Sequence, residues 1–161
     1  MTTDAKGPVG AREERKVVTA LFADLVGSTS LIERLDPEEA RLIVTEAIAR
    51  VIGAVEEFGG TIKDLAGDGV LALFGAPVAH EDDPERAVRA GLKAAQEIAG
   101  YSAEVEAGWG IEGFGVRIGV DTGPTVVGLI GAGSRVEYGA TGDAVNVTAR
   151  LQGEALPGTV P

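Results

Sequence analysis

The chain has no cysteine and a single histidine in its 161 residues. The first absence excludes disulfide frameworks, cysteine-ligated zinc, iron–sulfur clusters and thiol nucleophiles. The second leaves no histidine-rich metal site. Positive charge is also scarce: Lys and Arg total 14 against 25 Asp and Glu, a formal net charge of −11. So acidic a chain lacks the basic face on which a nucleic-acid backbone is bound. No long hydrophobic run is present either. The longest nearly apolar stretch, Gly69–Ala79, is too short to span a bilayer, and the N-terminus has no signal-peptide apolar core. A soluble, cytoplasmic protein with neither a nucleic-acid nor a membrane partner is expected.

Hydrophobic residues make up 45% of the chain, enough at this length for one domain with a buried core. Glycine is in excess, 24 residues, roughly twice the average usage of about 7%. Most of it sits in connections, as tight turns and a backbone that closely approaches a ligand require.

Met1–Arg15 is polar and without apolar period, which predicts a flexible tail ahead of a folded domain over 16–161. Val17–Ala23 reads as a buried strand ending at Asp24, after which Ser28 or Thr29 can cap a helix. Asp36-Pro37-Glu38-Glu39 opens a helix whose stripe is Val44, Ile48, Val51, Val55 and Phe58, stopped by Gly59-Gly60. Thr61–Ala66 and Val70–Phe74 flank Gly67-Asp68-Gly69, a hairpin by composition. Asp83-Pro84-Glu85 starts a second helix with the stripe Val88, Leu92, Ala95 and Ile98, and Tyr101–Gly113 reads as a loop. Phe114–Val120 and Thr125–Ile130 read as a strand pair around Thr122-Gly123-Pro124; a Gly-rich loop and a short helix, Asp143–Leu151, follow. This order predicts an α/β sandwich of the α+β kind: a ferredoxin-like βαββαβ core with a mixed, mostly antiparallel sheet and helices on one face.

In that topology Asp24 and Asp68 converge although 44 positions separate them. Two carboxylates so placed repel unless a cation lies between them, and an all-oxygen donor set suits Mg²⁺ or Mn²⁺. The plainer alternative makes Asp24 a helix cap and Asp68 an ordinary turn residue. Leu25-Val26-Gly27-Ser28-Thr29 turns from a strand into a helix N-terminus and offers several amides to an anion. It is neither a P-loop nor a dinucleotide fingerprint. Asn146 and Arg150 lie i, i+4 on the last helix, where Arg can stabilise a phosphoryl transition state and Asn can orient a sugar. A solvated helix face is the alternative for that pair.

Five blocks together carry a resemblance. They are Phe22–Thr29, Gly59-Gly60-Thr61, Ala66–Gly69, Arg117–Pro124 and Gly142–Arg150. In this order and spacing they resemble the class III nucleotidyl cyclase catalytic domain over nearly the whole chain. Ala76–Asp83 looks like a bacterial subgroup whose domain is often fused to further domains in a longer protein, and His80 needs no catalytic role. The resemblance implies that Asp24 and Asp68, assisted by the Leu25 carbonyl, hold two metal ions per site. It implies further that the amides of Val26, Gly27, Ser28 and Thr29 cradle the triphosphate, that Asn146 positions the ribose and that Arg150 stabilises the transition state. It also implies a head-to-tail homodimer with two shared sites, each taking its Asp pair from one subunit and Asn–Arg from the other.

The chain departs from the family where the base is read. Asp64 stands where adenylyl cyclases usually carry Lys, with Lys63 one place earlier and, by strand alternation, on the opposite face. Gly139 stands where they carry Asp or Thr. The family prior favours ATP converted to cAMP and pyrophosphate; an acidic residue paired with Gly keeps GTP as the alternative. A catalytically silent nucleotide-binding or dimerisation module is the rival of a different class. A template-directed polymerase would need a basic groove that this composition lacks. Family domains continue into a further strand or two beyond the position of Pro161, which implies a fragment.

Overall fold

The computed structural model describes residues 12–66, 68–130 and 137–142. Its elements run β1 (Arg12–Val26), α1 (Ser28–Arg34), α2 (Pro37–Glu57), β2 (Thr61–Ala66), β3 (Gly69–Phe74), α3 (Asp83–Trp109), β4 (Gly115–Ile130) and β5 (Glu137–Gly142). The strands form one sheet in the order β2-β3-β1-β4-β5. Its first four strands are the ferredoxin-like core expected. Every pairing among the described strands is antiparallel, so the mixed character expected of the sheet is not found there.

Side chains alternate across the sheet. Leu21, Ala23 and Leu25 of β1, with Val70, Ala72 and Phe74 of β3, face the helices and form the main core. Val18 and Ala20 face the other way and pack with Leu71, Leu73 and Ala76. The helices reach the core through small residues: Ala40, Ala47 and Ala54 beside Ile43, Val51 and Val55 in α2, and Ala87, Ala90, Gly91, Ala94 and Ala95 in α3. Arg50 ties α2 to α3, its guanidinium 4.5 Å from the Tyr101 ring centroid and its Nε donating to Glu46 at 2.8 Å. No helix among the described residues is long and apolar enough to cross a membrane.

Five expectations are corrected. β1 begins at Arg12, so Arg12–Arg15 belong to a strand paired with Val126–Leu129 rather than to a tail. Backbone pairing there needs no apolar pattern. Residues 115–130 form one continuous strand instead of a hairpin at Thr122-Gly123-Pro124. Pro124 is tolerated because pairing with β5 begins only at Thr125, leaving one side of β4 unpaired by described strands at that point. α3 runs on through Tyr101–Trp109 because Tyr101 and Val105 are buried against the core. Its stripe is rotated onto the alanines, leaving Val88 41% and Leu92 51% exposed. In α2 the same rotation leaves Val44, Ile48 and Phe58 only partly buried. Finally, part of the Gly-rich connection is a strand, β5.

Candidate active site

Strand alternation puts Asp24 on the face of the sheet away from the helices, near the C-terminal end of β1. It lies opposite Gly69 on one neighbour and opposite Arg117 on the other. The Leu25 N–H donates to the Asp68 carbonyl oxygen at 3.0 Å, closing the β2–β3 turn onto the end of β1. The two acids that sequence reasoning paired therefore stand at one end of the sheet, Asp24 near the end of β1 and Asp68 in the adjoining β2–β3 turn, both half-buried.

The turn into α1 is set by Gly27. Its φ of +85° is left-handed, and a Cβ there would lie 2.7 Å from the Gly113 carbonyl oxygen. Gly27 is also the N-cap residue, so neither Ser28 nor Thr29 caps the helix as expected. Ser28 is the first helical residue, and its hydroxyl donates instead to Asp68 Oδ2 at 2.8 Å. Thr29 is exposed. Val26 closes β1 opposite Gly115, and the amides of the first turn of α1 have no acceptor within the helix itself. Leu25 is buried, its side chain in the core.

Sequence reasoning did not single out Arg117. It stands directly opposite Asp24, and its Nε is buried without a hydrogen-bond partner among the described residues. The signal was available: a lone cation inside the otherwise apolar run Val116–Val120. A buried guanidinium nitrogen left unsatisfied is costly, and an anionic ligand would satisfy it.

Asp64 is exposed and lies opposite Leu71, which faces away from the helices. A β-bulge between Ile62 and Asp64 sets this register. Lys63 is the extra residue, so the alternation that assigned it to the opposite face does not hold there. Gly139 lies in β5 opposite Gly128, not in a loop. Asn146 and Arg150 lie outside the described residues. His80 is occupied structurally: its N–H donates to Asp83 Oδ2 at 2.7 Å and its Nδ1 lies 3.3 Å from Oδ1. A shallow cleft lined by Ile98, Ser102 and Phe114 sits on the helical side and includes none of these site residues.

Among the described residues no group of three or more His, Cys, Asp or Glu could hold a metal. A cation here would rest on two carboxylates completed by main-chain and ligand oxygens. That hard, all-oxygen set fits Mg²⁺ or Mn²⁺, and the buried Nε of Arg117 fits the anion such an ion accompanies.

The model of the adenylate and guanylate cyclase catalytic domain matches residues 11–161. Adenylate cyclase 1 of Rhizobium meliloti (strain 1021) is 37% identical over 139 residues, covering 86% of this chain and 21% of that protein. The chain thus spans about a fifth of that relative's length. Among solved structures, the guanylyl cyclase Cya2 superposes with a TM-score of 0.82 at 36% identity, covering 91% of this chain and 74% of that one. The adenylyl cyclase CyaB from P. aeruginosa gives 0.85 at 28% identity, covering 92% and 77%.

Proposed function

Starting from the fact that this chain belongs to the adenylate and guanylate cyclase catalytic domain family, we propose that it cyclises a purine nucleoside triphosphate, nominally ATP. The ribose 3′-oxygen attacks the α-phosphorus in line. A new ester bond forms, the bond to the β-phosphate oxygen breaks, pyrophosphate leaves and the hydroxyl proton passes to solvent. The observation that carries this reading is the meeting of Asp24 and Asp68 at one sheet end with the unsatisfied Nε of Arg117 opposite Asp24.

Asp24, Asp68 and the Leu25 carbonyl would hold two divalent ions, Mg²⁺ or Mn²⁺. When bound, these acidify the 3′-hydroxyl and neutralise charge on the triphosphate. The amides from Val26 to Thr29 bind phosphate oxygens, and Arg117 adds a fixed positive charge beside them. Asn146 orients the ribose and Arg150 stabilises charge in the transition state. These last two come from the second subunit of a head-to-tail homodimer, so that each dimer has two shared sites.

Guanine is the second reading, and the placement of Asp64 favours it. Guanine presents donors at N1 and N2 that a carboxylate accepts, whereas adenine at the same edge offers an acceptor and a donor. The bulge leaves Asp64 on the face that carries Asp24. Incubation with ATP or GTP plus Mn²⁺, reading cyclic nucleotide and pyrophosphate, tests the activity and ranks the bases. Asp64→Lys is expected to shift preference toward ATP. A strict ATP preference that this substitution leaves untouched would remove Asp64 from the base site, and no cyclic product from either nucleotide would favour a silent nucleotide-binding or dimerisation module.

A further inference from the structure

We propose that the Ser28 hydroxyl is a positioning group for the Asp68 carboxylate and, through it, for the divalent cation of the site. This rests on the reading of Asp68 as a cation ligand. Asp68 is held at two points: its carbonyl oxygen by the Leu25 N–H at 3.0 Å and its Oδ2 by Ser28 Oγ at 2.8 Å. The second bond is part-buried and charge-assisted, the stronger class of hydrogen bond. It occupies one carboxylate oxygen, fixes the rotamer of a turn residue that would otherwise reorient in solvent, and leaves Oδ1 for a cation.

The donor is itself immobilised. Gly27, immediately before it, is locked by its left-handed φ and by the Gly113 carbonyl that fills the place of its missing side chain. Leu31, three residues on, is fully buried. Among the described residues the hydroxyl's hydrogen bond goes to Asp68, across to the neighbouring turn and not back to its own helix. Ser28 thereby joins the amides of α1 to the cation ligand as one unit, and an anion on the amides and a cation on Asp68 share a single fastening.

Partners that orient a metal ligand through hydrogen bonds typically contribute 10- to 100-fold in metal affinity or activity. Mn²⁺ binding is therefore titrated by EPR in the presence of 3′-deoxy-ATP, which has no hydroxyl to cyclise. Ser28→Ala is expected to weaken Mn²⁺ about tenfold, and Ser28→Thr to stay within about twofold of wild type. The unfolding midpoint in EDTA is compared alongside, where a merely structural hydroxyl would show its whole effect. Wild-type Mn²⁺ affinity in Ser28→Ala, with Asp68→Ala losing it, overturns the role of Ser28 and keeps the site. A loss in Ser28→Ala that Ser28→Thr fails to restore overturns it also. Wild-type affinity in Asp68→Ala overturns the cation site itself.

Discussion

Gly27 has room for no side chain. A β-carbon there would meet the Gly113 carbonyl at 2.7 Å, a backbone atom that cannot rotate away, and φ is +85°. Left-handed backbone costs an L-residue about 1–2 kcal/mol, and the clash adds to it. Gly27→Ala is expected to lose at least about 2 kcal/mol of stability and most nucleotide binding, because α1 must tilt to accommodate it; urea unfolding and a nucleotide titration check both. At this scale the sequence was half legible. The placement of Asp24 and Asp68 at one sheet end was readable because a strand end and a hairpin turn announce themselves by pattern and turn chemistry. Arg117 and the Ser28–Asp68 bond were not, because they depend on cross-strand register and on one hydroxyl's choice of acceptor. Ser28 stood one residue past the cap, and composition alone does not resolve that difference.

Elements were legible in kind and order but less so in extent. Tyr101–Gly113 read as a loop because Gly108, Gly110 and Gly113 punctuate it, yet α3 continues to Trp109. Gly100 and Gly108 have open space around the position of a Cβ, as does Gly53 in α2. Burial of Tyr101 and Val105 outweighs a helical penalty of about 1 kcal/mol per glycine. Substituting alanine at 53, 100 and 108 is accordingly expected to stabilise by roughly 0.5–1 kcal/mol per site, read as a rise in the thermal unfolding midpoint, with no change of fold by circular dichroism. The stripes were misplaced for a related reason. Large apolar residues dominate a periodicity count, but where two helices lie close to a sheet the alanines are what fit. Val88 and Leu92 therefore stand on the flank of α3 and not beneath it.

The whole molecule divides its sheet between two tasks: one face buries the helices, and the other carries Asp24, Arg117 and Asp64. If the site is completed by a second copy, Asp24→Ala and Arg150→Ala are each inactive alone. A mixed dimer then has one site with both lesions and one with neither. Random exchange makes half the dimers mixed, so equal mixing is expected to restore about a quarter of wild-type activity. Failure to recover, with exchange demonstrated by crosslinking of tagged subunits, would mean that each subunit holds its own site. The continuity of β1 has a mechanical consequence. Arg12 and Asp24 belong to one unbroken strand laced to β4 along its entire length, and at about 3.4 Å per residue they stand roughly 40 Å apart. No loop intervenes to absorb motion. Arg12 and Asp24 are therefore joined by one hydrogen-bonded ribbon, and whatever is attached at Arg12 is in direct strand continuity with the acid at the far end.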